Sequence, residues 1–343
     1  MLLKDVVVRT HSLGLEGLSC RSAVSVGIGG SLGCEFPVVA TSAWYCQMTT
    51  PACTRCLTHM LTVAEFLDHI SQEIPINSLR ILLIKDQWFL CGFCNSVLCP
   101  NCRTTSRLSH DLICHRDEVE RKAAHSRLVQ LGYTFSESFP LALWFLADLV
   151  TSGRRVGMNM FNEDQFSYFH NHQVTRGSEL EAAGESISTL LDLELNIELL
   201  RLIVDTFDRT NLTIEVESKS MLSDVAAGLL TEEVRGELLK RHHEEGFPIL
   251  DESVPLPVVI GTGHYPTIAL MNHSCDPNTE WRFTGGSASI EMIALKPIAV
   301  GEELRISYID QTLSYEERQS KLQELYGFKC ECPKCISDGS FSS

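Results

Sequence analysis

Short segments of alternating apolar and polar residues lie near both ends of the chain, and a helical period runs through its middle. Residues 289–295 and 304–308 are rich in apolar and β-branched side chains, and Pro297 and Gly301 separate them. This pattern predicts two short strands. Residues 1–9 include a Val-Val-Val run and also predict a strand.

Two stretches predict helices. Between residues 117 and 246 the apolar period is helical, and it is clearest over residues 186–207. Residues 314–326 begin with Ser-x-x-Glu, which is a capping box, and the Gly327 that follows is a typical helix stop. The clearest stretch has a broad apolar face that contains Ile187, Leu190, Leu191, Leu195 and Leu199.

The composition is that of a folded, globular chain. Its 343 residues are 44% hydrophobic and 21% charged, and this length suggests two or three compact units. The longest apolar stretch, residues 141–147, ends at Asp148, whereas a membrane span needs about 20 residues. Residues 1–9 contain an acid and no small-residue cleavage site. We therefore expect no membrane partner, no secretion, and a cytoplasmic and/or nuclear location.

The formal net charge of −16 bears on the choice of partners. Tight non-specific binding to nucleic acid depends on basic patches that displace counterions, so we expect no strong direct binding to nucleic acid. The charge instead favours encounters with basic partners. Solubility alone accounts for the charge of most acidic chains, and this interpretation stays open.

Cysteine pairs carry the first specific chemistry. The chain has fourteen cysteines, which fall into tight pairs rather than spreading as in a disulfide framework. A two-residue gap brings both thiolates of a pair onto one metal ion, and His-x3-Cys places its ligands one helical turn apart. The first group therefore predicts two closed tetrahedral zinc sites, built from Cys53, Cys56, Cys91, Cys94, Cys99, Cys102, His110 and Cys114.

A second cysteine group lies near the C-terminus. Cys330, Cys332 and Cys335 provide three thiolates, whereas a closed zinc site needs four ligands. The fourth ligand has to come from elsewhere in the fold. Among the remaining cysteines Cys275 stands out, because it lies in a heptapeptide, residues 272–278, that is too polar for a core strand and too specific for a generic turn.

Three motifs in the C-terminal part of the chain resemble a known family. Residues 272–278 read Asn-His-Ser-Cys-x-Pro-Asn, residues 301–310 read Gly-Glu-Glu-Leu-Arg-Ile-Ser-Tyr-Ile-Asp, and residues 326–335 read Tyr-Gly-Phe-Lys-Cys-x-Cys-x2-Cys. In this order they look like the signatures of a SET domain with its post-SET segment. The ligand order of the first cysteine group resembles a MYND finger. Together with this finger the three motifs resemble the SMYD group of protein lysine methyltransferases, most of all the subgroup that lacks a C-terminal helical-repeat domain.

This resemblance implies an α+β fold, namely a SET-domain β-fold with a pseudo-knotted active site, interrupted by a MYND-type zinc finger and a helical insertion and followed by a zinc-binding post-SET segment. The insertion either helps to shape the substrate groove or serves as plain scaffold. The expected boundaries are residues 1–50 for the N-terminal part of the SET domain, 51–115 for the finger, 116–254 for the insertion, 255–312 for the core SET domain and 313–337 for the post-SET segment.

The resemblance also implies how the zinc ligands are shared among three ions. His115 is an adjacent alternative to His110, but only His110 completes the family spacing. In a MYND-type finger the pairs interleave, so one ion would be held by Cys53, Cys56, Cys99 and Cys102, and a second by Cys91, Cys94, His110 and Cys114. The third ion would be held by Cys275, Cys330, Cys332 and Cys335.

The activity that the resemblance implies is methyl transfer from S-adenosylmethionine to a protein lysine, in a histone tail and/or a non-histone protein such as a ribosomal one. By the motif match, Tyr308 would be the catalytic tyrosine. Tyr265 and Tyr326 would line the lysine channel, although core packing is an equally open interpretation of Tyr265. The cofactor would be bound by Gly17, Asn272, His273 and Phe328.

One departure from the family pattern lies near the N-terminus. The family's first cofactor contact is a Gly-x-Gly-Leu turn, whereas residues 15–18 read Leu-Glu-Gly-Leu. A leucine resists the close backbone approach that a glycine allows. This keeps an alternative open, a non-catalytic SET/MYND scaffold whose finger binds proline-containing peptides of protein partners. A generic zinc protein would explain the thiolates but not the Asn-His-Ser-Cys motif.

Overall fold

The computed structural model describes residues 5–10, 18–42, 52–58, 88–94, 96–153, 177–217, 258–284 and 286–340. Over these residues short strands and helices occur together, so the predicted α+β class is confirmed. None of the helices in these ranges is both long and apolar enough to span a membrane.

Twelve short strands lie in the described residues. They are β1 Val6–Thr10, β2 Leu18–Ser22, β3 Ser31–Glu35, β4 Val39–Ser42, β5 Phe89–Leu90, β6 Val97–Leu98, β7 Asn211–Glu217, β8 Val258–His264, β9 Asn272–His273, β10 Thr279–Phe283, β11 Ile290–Ala294 and β12 Arg305–Ile306. Two antiparallel sheets have the orders β10-β11-β3 and β4-β8-β7. Strands β9 and β12 form a parallel pair, and β1-β2 and β5-β6 are antiparallel pairs.

The described residues also contain nine helices. They are α1 Pro100–Thr105, α2 Arg107–Ile113, α3 Val119–Thr134, α4 Ser138–Thr151, α5 Gly177–Leu191, α6 Ile197–Thr210, α7 Pro266–Ala269, α8 Tyr315–Tyr326 and α9 Pro333–Ser340. Helices α3 to α6 share one hydrophobic core. The apolar stretch at residues 141–147 lies in α4, which is buried on most sides and is therefore a core helix.

The predicted helical middle of the chain is present where the structure describes it, with two differences, and its residues 154–176 and 218–246 lie outside the described residues. The apolar stretch at residues 186–207 forms two helices rather than one, because α5 ends at Leu191 and the side chain of Asn196 caps α6 by accepting from two backbone N–H groups. The residues that follow α6 form strand β7, whose Ile214 and Val216 are fully buried. Alternating Leu-Thr-Ile-Glu-Val favours a strand here over the helical period that precedes it.

Three further predicted elements lie in the C-terminal part. Helix α8 begins after Ser314 with the predicted capping box, in which Ser314 and Glu317 exchange hydrogen bonds, and it ends at Gly327 with a φ of 76°. Residues 289–295 contain β11, whose inward residues are fully buried. Residues 304–308 form only the two-residue strand β12, because Leu304 N–H donates to the Cys20 carbonyl and Tyr308 N–H donates to a side chain.

The first cysteine knuckle, residues 53–57, packs on the β4-β8-β7 sheet. A Cβ atom at Gly261 of β8 would lie 2.4 Å from the Thr41 carbonyl oxygen and 2.5 Å from Leu57 Cδ2, so only glycine permits this approach. The Cys56 carbonyl accepts from the Ala288 N–H at 3.0 Å. The knuckle is therefore packed on the sheet and also joined to Ala288 by a backbone hydrogen bond.

Arg55 joins this knuckle to two other elements. Its guanidinium donates to the Ala40 carbonyl of β4 at 3.0 Å, forms an ion pair with Asp148 of α4 and lies 4.8 Å from the centre of the Trp144 ring. The Arg55 side chain is only 7% exposed. A charge that loses its partner in such a place is costly because water cannot replace the contact.

We expect Arg55→Met to lower the free energy of unfolding by about 2–4 kcal/mol, because methionine keeps the apolar stem but leaves Asp148 and the Ala40 carbonyl without their donor. Urea unfolding followed by circular dichroism measures this. Arg127→Met is the matched control, since Arg127 and Glu185 form an exposed pair at 3.5 Å that is worth about 0–1 kcal/mol. Equal effects of the two substitutions would contradict the anchoring role of Arg55.

Candidate functional site

The parallel pair β9-β12 brings the first two motifs together. Asn272 lies opposite Arg305, and His273 lies opposite Ile306. The Ser274 N–H donates to the Ile306 carbonyl at 2.9 Å and extends the ladder. Motif residues more than thirty positions apart in the sequence therefore become neighbours, and Tyr308 follows two residues after the pair.

Tyr308 has its hydroxyl directed back at the first motif. The hydroxyl donates to the Met271 carbonyl, one residue before β9, and the ring packs beside Tyr326 with a centroid distance of 4.9 Å. Burial raises the pKa of Tyr308 well above its usual range, and Tyr326 and Cys20 add to this rise. The phenol is therefore neutral at physiological pH, and its donor position is fixed.

Asn272 is oriented by a carboxylate that the sequence analysis did not assign a role. Its Nδ2 donates to Glu303 Oε1 at 2.8 Å, and Glu303 Oε2 pairs with Arg305 at 2.7 Å. Although burial opposes ionisation, the donors Asn272 and Arg305 lower the pKa of Glu303. Glu303 is the second acid of the Gly-Glu-Glu motif. Its place in that motif is the sequence feature that could have identified it as a site residue.

His273 and Phe328 lie beside Tyr308. The His273 ring is 5.2 Å from the Tyr308 ring and 6.0 Å from the Phe328 ring, measured between centroids. Burial, followed by the charges of Arg305 and Arg318, lowers the pKa of His273 to about 4. The imidazole is therefore neutral, and the structure brings together the side chains of His273, Tyr308, Tyr326 and Phe328.

Tyr265, a predicted channel residue, does not join this group. Tyr265 is fully buried in the sheet core, and its hydroxyl donates to the Ala288 carbonyl at 2.6 Å. Burial, then the nearby Glu35, raises the pKa of Tyr265. These contacts describe a packed core tyrosine, which was the alternative interpretation. Gly17 lies outside the described residues.

Three clusters of potential metal ligands match the predicted grouping. In each cluster the four ligand atoms lie within 4.8 Å of one another, and all thirteen described cysteines have free thiols. Sulfur atoms in a regular tetrahedral zinc site are separated by about 3.8 Å. The Sγ–Sγ distances in the three clusters include 3.6 Å for Cys56–Cys99, 3.5 Å for Cys91–Cys114 and 3.4 Å for Cys275–Cys335.

His110 has the surroundings of a metal ligand. Its Nε2 lies 3.3 Å from Cys94 Sγ, and its Nδ1 lies 3.1 Å from a carboxylate oxygen of Asp111. A carboxylate on the second ring nitrogen fixes the tautomer that leaves Nε2 free to bind a metal. His115 is not in the cluster, because its Nδ1 accepts from the Asp117 N–H.

A thiolate is the form that binds a metal, and the pKa values of the clustered thiols are shifted in both directions. Burial and thiol neighbours raise the pKa of six of them, namely Cys53, Cys94, Cys102, Cys114, Cys275 and Cys330. Contact with the Cys102 thiol lowers the pKa of Cys56 to about 7. In the C-terminal cluster burial opposes ionisation, but the backbone N–H groups of Cys335 and Cys275 lower the pKa of Cys332 to about 7. The three clusters are therefore compatible with zinc in geometry and in donor chemistry.

The comparison with protein families agrees with this architecture. A family model described as SET domain matches residues 84–309, which is well over half of the chain. The chain therefore belongs to the SET domain family. Within that family, the chain is similar to SMYD proteins over part of its length.

Three relatives define this similarity. The human histone-lysine N-methyltransferase SMYD3 is 45% identical over 76 residues, which are 22% of this chain and 17% of the relative. The human N-lysine methyltransferase SMYD2 is 40% identical over 92 residues, 27% and 20% of the two chains. The histone-lysine N-methyltransferase ATXR2 of Arabidopsis thaliana is 45% identical over 82 residues, 23% and 17%. The chain thus spans about a fifth of the length of these relatives.

Proposed function

We propose that this chain is an S-adenosylmethionine-dependent protein-lysine N-methyltransferase that acts on histone tails and/or non-histone proteins, including ribosomal ones. The observation that carries the proposal is the β9-β12 pair, which holds Tyr308 beside Asn272 and His273. The names of the SMYD relatives support the reaction class. The formal charge of −16 suits a basic substrate.

Lysine methylation requires a neutral amine that approaches the methyl group in line. When bound, S-adenosylmethionine supplies an electrophilic methyl group on a sulfonium. A free lysine has a pKa of about 10.4, so the site has to favour loss of its proton. Burial around Tyr308 disfavours a charged amine, and the neutral phenols of Tyr308 and Tyr326 provide no anion to retain the proton. Alignment of the amine by these two rings then contributes most of the rate enhancement of methyl transfer.

The residues near Tyr308 fit the adenosine part of such a cofactor. Phe328 is half-buried and lies two residues after α8, so part of its ring can stack on an adenine. Asn272 is also half-buried, and Glu303 holds its side-chain amide in one orientation. We assign Gly17 to the opposite wall by the family match alone. Tyr265 would support the lysine channel by packing in the core behind it, rather than by lining the channel surface.

The finger is the proposed partner site. Phe93 between the Cys91 and Cys94 ligands is 50% exposed, and Leu108 of α2 is 70% exposed. Exposed apolar side chains on a rigid metal-supported module suit a proline-containing peptide, whose extended backbone presents apolar faces. This role is compatible with catalysis, and it would be the whole function of a non-catalytic scaffold.

Calorimetric titration with S-adenosylmethionine separates the enzyme from the scaffold. We expect the unmodified chain to bind, and Asn272→Ala to weaken binding by about tenfold or more because one oriented hydrogen-bonding group is lost. Asn196→Ala is the matched control, since it removes a helix cap from α6 and leaves the site intact. Absence of binding by the unmodified chain would reject the enzyme and favour the scaffold.

A further inference from the structure

His273 contacts the Tyr308 backbone on one side and the C-terminal metal-ligand cluster on the other. Its Nδ1 lies 3.0 Å from the Tyr308 backbone nitrogen, and its Nε2 lies 3.2 Å from Cys275 Sγ. The side chain is buried, with 6% of the residue exposed. Cys275 Sγ is in turn 3.4 Å from Cys335 Sγ, within the C-terminal cluster.

The two contacts define where the imidazole carries its proton. A backbone N–H can only donate, so Nδ1 has to accept from Tyr308 with its lone pair. A neutral imidazole has one ring proton, which therefore resides on Nε2 and is directed at Cys275 Sγ. A metal-bound thiolate accepts such a hydrogen bond, and contacts of this kind orient the ligand. Both ring nitrogens are thus engaged in hydrogen bonds. A cofactor could therefore contact only the main chain and the ring face of His273.

We propose that His273 is a positioning residue that links the post-SET metal site to Tyr308. The imidazole fixes the distance between the Cys275 thiolate and the Tyr308 main chain, so the state of the cluster sets the position of the tyrosine. The catalytic consequence rests on the proposed function, whereas the link itself does not. Its importance for rate follows from alignment, because a displacement of about 1 Å at a reacting group can cost about 100-fold.

Two substitutions separate the two halves of the link. His273→Asn places an amide oxygen where Nδ1 lies, so it can accept from Tyr308 N–H, but it is too short to reach Cys275. His273→Gln can place an amide N–H near the Nε2 position and reach Cys275, but it gives up the acceptor for Tyr308. A residue with only a packing role would not produce opposite losses in these two variants.

The first measurement is zinc release to a chromogenic chelator, which is independent of catalysis. We expect His273→Asn to release one of three ions about 10–100-fold faster than the unmodified chain, and His273→Gln to release it at nearly the original rate. The second measurement is kcat at saturating cofactor and substrate, in which the order reverses and His273→Gln loses more. His264→Asn is the control, since His264 is another buried imidazole that pairs with Thr210 and lies outside the clusters.

Nitrogen-15 spectra of the histidine-labelled, zinc-loaded chain test the proton position without any substitution. A signal with Nε2 protonated and Nδ1 unprotonated supports the link, and the opposite tautomer overturns it. Equal zinc release from both His273 variants also overturns it. A chain that binds no S-adenosylmethionine but shows the expected tautomer and zinc release would reject the proposed function and leave the link standing.

Discussion

Replacing Tyr308 with phenylalanine is expected to lower kcat for methyl transfer by about 100- to 1000-fold, the range found when one oriented hydrogen-bonding group is removed from an active site. The hydroxyl donates to the Met271 carbonyl, so the position of the phenolic oxygen is fixed and its lone pairs stay available to other groups in the site. Phenylalanine keeps the ring contact with Tyr326 but provides no oxygen to align the amine. Single-turnover assays with S-adenosylmethionine and a lysine-containing protein measure the rate.

The affinity for S-adenosylmethionine separates this effect from unfolding. Tyr308→Phe leaves a buried carbonyl without its donor, which costs about 1–3 kcal/mol of stability. We nevertheless expect the affinity to change by less than about threefold, because an interaction made in the transition state contributes little to ground-state binding. Tyr133→Phe is the control, since Tyr133 is 55% exposed on α3. A Tyr308→Phe variant with an unaltered rate would remove this tyrosine from the mechanism.

Local features of the fold were predictable from neighbouring residues. The capping box at Ser314 and the stop at Gly327 define α8 because all the groups involved lie within one or two helical turns. Strand β11 follows from alternation alone. Strand β7 was not predicted, because its short alternating pattern directly follows a longer helical one, and its pairing with β8 adds the support that the strand needs.

The long-range parts of the site depended on the family motifs. No local pattern indicates that Asn272 and Arg305 pair in parallel, and the resemblance implied only a pseudo-knotted active site without this pairing. Contacts between motifs were missed for the same reason. Glu303 orients Asn272, and Arg55 pairs with Asp148 at a separation of 93 residues, and neither contact is encoded by spacing. Side-chain partners across a fold depend on packing that a single sequence does not display.

The C-terminal cluster lies next to the segment that carries Phe328 into the site. Its four cysteines are buried, and the apolar residues around them are few, with Leu322 the only fully buried aliphatic side chain of that cluster among the described residues. A module with so small a core would gain much of its folding free energy from a bound metal. Four thiolates around one Zn²⁺ carry a formal charge of about −2. The buried Arg318 guanidinium lies 3.9 Å from Cys335 Sγ and offsets part of this charge.

Replacing Cys332 with serine is expected to reduce the zinc content from three ions per chain to two and to weaken S-adenosylmethionine binding by about tenfold or more. Loss of this ligand releases the segment that holds Phe328, which lies two residues before Cys330 and 6.0 Å from the His273 ring. Elemental analysis of the purified chain gives the metal count, and calorimetry gives the affinity. Cys34→Ser is the control, because Cys34 is an exposed cysteine of β3 outside the three clusters. A count of two zinc ions in the unmodified chain would refute the third site. Full cofactor affinity in Cys332→Ser would show that the C-terminal cluster does not position Phe328.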